Sequence, residues 1–252
     1  MADERRHLHK RVELDANVDE VWRAVSTVAG MSAWFVPHEA DEKGDMSADF
    51  GDGNTQGGKV LAWEAGKRVV YGGPDDESPE TAALAIEFLV EGRDGGGTVL
   101  RLMQSGFSGE GWEAEYEGMS RGWDLFLHNL VSYFQHFAGL PAAGVVAMTT
   151  TAPGGDTVSE RVHRALGVDP QAAVGDQVRL GAAGIDPVTG VVDVRAPGTL
   201  GVRTGDGLYR FFGLDPAGTH GLVHVAIYRY GVPIDRAAAT AAWQGWLQSV
   251  IR

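Results

Sequence analysis

The spacing of apolar and polar residues changes several times along the chain, and each change marks an element. From His7 to Asp15, Leu8, Lys10, Val12 and Leu14 alternate with His9, Arg11 and Glu13, the two-residue period of a half-buried strand. The period then lengthens. Val18, Val21, Trp22, Val25 and Val28 share one helical face, and Asn17 with Glu20 three residues on forms a capping box ahead of them. Ala29 to Phe35 predicts a second short helix that turns Trp34 and Phe35 inward. Short apolar runs follow, at Met46 to Phe50, Lys59 to Trp63, Lys67 to Tyr71, Ala82 to Val90 and Thr98 to Phe107, separated by glycine-rich turns. That spacing predicts an antiparallel meander, with GRDGGG at Gly92 to Gly97 as its clearest hairpin because glycine accepts the positive φ a reversal needs. From Glu117 to Phe137 the helical period returns, and Trp123, Phe126, Leu127, Leu130, Val131, Phe134 and Phe137 form a wide apolar stripe that Gly139 and Pro141 bring to an end.

The same order of elements recurs after Gly144 in shortened form. Val145 to Thr151 predicts a first strand. Thr157 and Glu160 read as a capping box before Val158, Val162, Ala165 and Leu166. Further strands are expected at Gln177 to Leu180, Val188 to Val194, Leu200 to Arg203, Leu208 to Phe212 and Leu222 to Tyr230. A helix from about Ile234 to Ile251 closes the chain, its Trp243, Trp246, Leu247 and Val250 spaced like Trp123, Phe126, Leu127 and Leu130. The predicted organisation is two α+β domains, 1–140 and 145–252, the second abbreviated.

Strand, short helices, meander and long closing helix is the helix-grip order, a curved antiparallel sheet wrapped around a C-terminal helix. The run VDEVWRAVSTVAGMSAWF, Val18 to Phe35, resembles the opening of the START-like or SRPBCC superfamily. Val21-Trp22, Trp34-Phe35 and Gly122-Trp123 resemble the branch of activators of the heat-shock protein 90 ATPase. The resemblance spans roughly residues 7 to 138 and extends to the second half by architecture only. It implies a cavity between closing helix and sheet that relatives use for lipids, polyketides, hormones or aromatic metabolites. The residues expected at that cavity are Trp34, Phe35, Trp63, Tyr71, Phe88, Leu102, Trp123, Leu127 and Leu130, with Gln104 aimed inward by strand alternation and His38 at the mouth, donating to a ligand carbonyl. Alternation of Leu84, Ile86, Phe88 and Val90 inward puts Glu87 outside, where a charge balance with Arg101 across the hairpin is expected.

Composition narrows the function. With 44% apolar and 9% aromatic residues the chain is globular. No run approaches the ~20 apolar residues of a membrane span, and the charged start MADERRHLHK is unlike a secretory signal, so a cytoplasmic protein is expected. The absence of cysteine excludes disulfides, thiolate metal sites and cysteine nucleophiles. Residues 1 to 141 hold 25 acidic against 12 basic side chains and carry the whole net charge of -13, while the remainder holds 9 of each. The acidic stretches Glu39 to Asp52, Asp75 to Glu80 and Glu110 to Glu117 would repel a phosphate backbone, which argues against nucleic acid as a partner. The near-neutral second domain points to a partner of its own, either the first domain or a second copy of the chain in a homodimer.

The motifs of common enzymes are missing. There is no Walker loop, nucleophile elbow or HExxH, and GDGNTQGG at Gly51 to Gly58 precedes a strand where a dinucleotide loop would precede a helix. His7 and His9 share a strand face without a third metal ligand, and His224 alternates with Leu222, Ala226 and Tyr228 as a core or surface residue. No cofactor is expected. Three functions remain open: binding of a small apolar molecule, a polyketide cyclase or dehydratase type of enzyme, and an interaction module resembling the chaperone activators. Lack of a convincing acid-base pair ranks binding first.

Overall fold

The computed structural model describes residues 6–42, 46–108, 111–152, 155–214 and 221–251. Residues 43–45 of the first acidic stretch and Glu110 of the third lie outside them. The chain divides into two compact units, one of residues 1–49 and 55–139, the other of residues 50–54 and 140–252.

The first unit opens with strand β1 (Arg6–Leu14), then helices α1 (Val18–Ser26) and α2 (Val28–Ser32). The capping box at the start of α1 is present, with Glu20 N–H donating to Asn17 Oδ1 at 2.9 Å and Asn17 N–H to Glu20 Oε2 at 3.1 Å. Six strands follow: β2 (His38–Ala40), β3 (Met46–Asp49), β4 (Thr55–Glu64), β5 (Arg68–Gly72), β6 (Ala85–Gly92) and β7 (Thr98–Phe107). They form one antiparallel sheet in the order β1-β7-β6-β5-β4-β3-β2, with Arg93 N–H bonded to Gly97 O across the expected hairpin. Helix α3 (Trp112–His136) closes the unit and packs on β1 and β7. Lys10, on the inner face of β1, ties it down through Asp124 (2.6 Å) and Ser120 (2.8 Å).

Helix α3 starts five residues before the expected Glu117. Its first turns are held by rings at helical spacing: Tyr116 meets Phe107 at 5.1 Å and Trp112 at 6.2 Å, and the Arg6 guanidinium lies 4.0 Å over Trp112. The intervening glutamates and Gly118 hide this anchor from a reading of periodicity. Glu87 does not pair with Arg101. In the observed register Leu89 faces both Arg68 and Arg101, so Glu87 reaches diagonally to Arg68 (2.9 Å) and Glu91 to Arg101 (3.0 Å). Leu84 precedes β6 and is exposed, so it does not belong to the inward set.

The second unit repeats the topology with one strand fewer. Its elements are β8 (Ala142–Thr151), α4 (Gly155–Ala165), β9 (Gln177–Leu180), β10 (Val188–Ala196), β11 (Thr199–Arg203), β12 (Gly207–Leu214), β13 (Gly221–Tyr230) and α5 (Arg236–Ile251). The sheet order β8-β13-β12-β11-β10-β9 again pairs first strand with last and then descends. The fold is therefore α+β with tandem helix-grip copies. Helix α4 begins at Gly155, so Thr157 lies inside its first turn and is not the expected cap. Glu160 turns instead to Arg195 (3.5 Å) and His163 (3.8 Å). Helix α5 starts with Ala238 N–H bonded to Asp235 Oδ1 at 3.0 Å. On edge strand β8, Gln244 of α5 accepts from Met148 N–H (3.0 Å) and donates to Met148 O (2.8 Å), which satisfies backbone groups that the sheet leaves free.

Candidate functional site

In the first unit most of the expected wall comes together. Trp34, Phe88, Leu102, Gln104, Trp123 and Leu130 are each at most 3% exposed, and Phe35, His38, Tyr71 and Leu127 are also buried. Phe35 is the hub. It stacks on Trp123 at 5.1 Å, meets Phe126 edge-on at 4.6 Å and lies 5.6 Å from the His38 ring. Phe88 touches both Trp34 and Trp123 at 6.1 Å. Trp63 stands apart, 51% exposed. It shares the sheet face of Phe88 through the register Trp63–Val69–Phe88, but α3 lies over β1 and β7 and does not reach across to β4. Its ring packs edge-on against Trp22 of α1, at 4.9 Å.

Several of these polar tips are committed to the backbone. The last carbonyls of α1 have no partner within the helix. Thr27 Oγ1 donates to Arg23 O (2.8 Å), the Trp34 indole to Ala24 O (2.9 Å) and the Tyr71 hydroxyl to Val25 O (2.8 Å). Burial also holds the Tyr71 phenol far above its ordinary range. Gln104 accepts from the Trp123 indole (2.5 Å) and Asn129 donates to Trp34 O (3.2 Å). His38 spends its one neutral N–H on Val36 O, from Nδ1 at 2.7 Å, and burial pulls its pKa below the usual histidine value. A neutral His38 thus has an acceptor at Nε2 and no donor for a ligand carbonyl.

The second unit holds a cavity of about 470 Å³ between its closing helix and its sheet. Ile234, Ala239, Ala242 and Trp243 line it from the helix side, Val145, Tyr209 and Ile227 from the sheet, and residues 184–189 from one flank. Its origin is legible in α5. Alanines at 237–239, 241 and 242 leave the first turns slim, whereas Trp243, Trp246 and Leu247 fill the space below with Phe211. The lining turns polar at Thr204, Asp206 and Arg229. Arg229 donates to Asp206 Oδ2 (2.5 Å) and to the Tyr209 hydroxyl (3.4 Å), and Thr204 Oγ1 donates to Asp206 Oδ1 (2.8 Å). Gly207 faces Arg229 in the register and leaves room for it: a Cβ there would stand 2.6 Å from Tyr228 O and 3.1 Å from Arg229 Cδ. Burial, with Asp206 nearby, raises the Tyr209 pKa against the opposing pull of Arg229, so the phenol stays protonated. Of these residues only Trp243 and Ile234 stand out in the sequence, as members of the closing helix and not as a site. The available signal was a run of alanines facing a strand that carries arginine among Val223, Val225 and Ile227.

A second polar cluster has the composition of a hydrolytic triad without its geometry. Ser159, His163 and Glu160 lie along α4, with Ser159 Oγ 3.2 Å from His163 Nε2. The serine is fully buried and donates to Gly198 O at 2.7 Å, while His163 Nδ1 accepts from Arg195 at 3.0 Å. With Nδ1 occupied, Nε2 carries the proton toward Phe211 O (3.3 Å). The cluster fastens α4 to the sheet. Among the described residues no group of three or more acidic or histidine side chains is placed to hold a metal ion, and no helix is long and apolar enough to cross a membrane.

Two sheets, each opened by a first strand with one or two short helices and closed by a long helix, give the protein a tandem helix-grip architecture. Residues 15–135 match the family of Activator of Hsp90 ATPase homolog 1-like proteins, which bears out the resemblance carried by Val18 to Phe35 and Gly122-Trp123. Similar solved structures include protein MLL2253 from Mesorhizobium loti, with 21% identity, 52% of this chain and 97% of that one covered, and a TM-score of 0.44. DynU16, a putative protein in the dynemicin biosynthetic locus, has 18% identity over 98% of this chain and 99% of its own, with a TM-score of 0.42. The di-domain ARO/CYC BexL from the BE-7585A biosynthetic pathway has 14% identity, the same coverage of 98% and 99%, and a TM-score of 0.44. A comparison with curated proteins finds no match.

Proposed function

We propose that this protein binds a small, largely apolar molecule between the closing helix and the sheet, and that the second unit is where it does so. The observation that carries the reading is the 470 Å³ cavity between α5 and the second sheet, a volume in the range of small-molecule sites. Its lining has the composition such a site needs, with Trp243, Ile227 and Val145 as apolar surface and a few convergent polar groups at Tyr209 and Arg229. In the first unit the rings at the corresponding place touch one another, and Trp34 and Tyr71 spend their donors on backbone carbonyls and Trp123 on Gln104, which favours a second role there. That unit serves as an interaction module acting through its exterior, in the manner of the chaperone activators whose family it matches.

Native mass spectrometry of the full chain with naphthalene-sized uncharged compounds tests the binding reading. A one-to-one complex that Ala242→Trp abolishes is expected, since the larger side chain occupies the cavity. A wild-type chain that takes up none of the panel would overturn it.

A further inference from the structure

Most of the polar groups around the second unit's cavity already have partners. Asp206 receives Arg229 on one carboxylate oxygen and Thr204 on the other. Arg229 gives Nη2 to Asp206 and Nη1 to Tyr209, and its buried Nε has no partner among the described residues. Tyr209 differs. Its oxygen accepts from Arg229, so its own O–H is not directed there, and that O–H donates no hydrogen bond among the described residues. The residue is 5% exposed and lines the cavity beside Trp243, the two rings 6.4 Å apart. A phenol O–H that no protein acceptor takes, at the wall of a cavity, is placed to donate to a ligand oxygen.

The charges narrow the kind of oxygen. The lining holds one cation, Arg229, already paired with Asp206, and a further carboxylate at Asp186. One positive charge against two negative ones leaves a surplus that repels an anionic ligand. A neutral acceptor is the better match. The lining next to Tyr209 is the indole of Trp243, which suits a flat ring.

We propose, building on the binding function above, that Tyr209 is the specificity-determining donor of this cavity and that the ligand is an uncharged aromatic compound whose carbonyl oxygen accepts the Tyr209 proton. Arg229 and Asp206 are positioning residues: the guanidinium occupies the phenol oxygen and so aims its hydrogen at the ligand, and Asp206 holds the guanidinium in place.

Calorimetric titration of the full chain with three probes of one shape tests this: 2-acetylnaphthalene, 2-ethylnaphthalene and 2-naphthoate. The wild-type protein should bind the acetyl probe about tenfold more tightly than the ethyl probe, the scale of one net hydrogen bond, and the carboxylate most weakly. Tyr209→Phe should bring the acetyl probe to the level of the ethyl probe, and an unchanged near-ultraviolet circular dichroism spectrum reports that the variant is folded. Independently of any variant, the carbonyl stretch of bound 2-acetylnaphthalene should fall to lower frequency than in an apolar solvent. Equal binding of the two uncharged probes, a preference that survives Tyr209→Phe, an unshifted stretch, or tightest binding of the carboxylate would each overturn the proposal while leaving apolar binding in place. Failure of both uncharged probes to bind would remove the binding reading and this proposal together.

Discussion

The indole N–H of Trp34 donates to the carbonyl of Ala24, 2.9 Å away, and so finishes a helix that ended two elements earlier. Together with Tyr71 on Val25 and Thr27 on Arg23, it supplies bonds for α1 carbonyls that the helix cannot satisfy itself. These aromatic residues are as much helix caps as cavity wall. Trp34→Phe keeps the apolar ring and strands Ala24 O. The expected loss is about 1–3 kcal/mol of first-unit stability, read from the urea transition, plus a smaller amount for the reduced ring. Unchanged stability would show that the bond contributes nothing.

Cavity shape in the second unit rests on two small residues of α5. Ala242→Leu puts a branched side chain into the void, where the apolar contact it gains offsets strain of about 1–3 kcal/mol, so stability should change little. Uptake of an uncharged naphthalene probe should fall at least about tenfold by calorimetry. A variant that binds as well as wild type would place the ligand elsewhere.

Gln244 protects the edge of the second sheet by bonding both backbone groups of Met148. Gln244→Leu is close in size but leaves the two groups without their partner. It should cost about 1–3 kcal/mol and increase hydrogen exchange at the Met148 amide with little effect at Ala147, whose amide belongs to the β13 side. Equal exchange at the two amides in the variant and wild type would contradict this.

Acid should destabilise the protein through its buried histidines. Burial lowers the pKa values of His38, His163 and His224, the last from 6.5 to about 4 as it stacks on Phe212 with ring centres 4.7 Å apart. The unfolded chain then binds more protons than the folded one as pH falls below about 6.5. The stability held above that pH is lost on the way down to about 4, by roughly 3 kcal/mol for His224. His224→Phe should flatten the urea midpoint between pH 6.5 and 4. A slope equal to that of the wild type would show that His224 titrates as an exposed residue.

The chain's periodicity made most of this fold legible. The capping box of Asn17 and Glu20, the GRDGGG hairpin and the six strands of the second unit stand where local pattern puts them, because each is decided by neighbouring residues. What local pattern missed depends on pairing across the fold. The partners of Glu87 and Arg101 follow from register, which shifts the favourable contacts to diagonal neighbours. The exposure of Trp63 follows from where α3 lies across the sheet, and no period of Trp63 itself encodes that. The cavity was missed for a different reason. Aromatic residues mark a site by their presence and so point to the first unit, whereas Ala239 and Ala242 create a site by leaving space.

The seven tryptophans of the chain report directly on which unit takes the ligand. The measurement is a nitrogen-15 NMR titration of the indole N–H signals with 2-acetylnaphthalene. The Trp243 signal should shift progressively to saturation at one equivalent, while those of Trp34 and Trp123, bonded to Ala24 O and Gln104, stay in place. Shifts at Trp34 and Trp123 with Trp243 unmoved would put the ligand in the first unit and contradict the account.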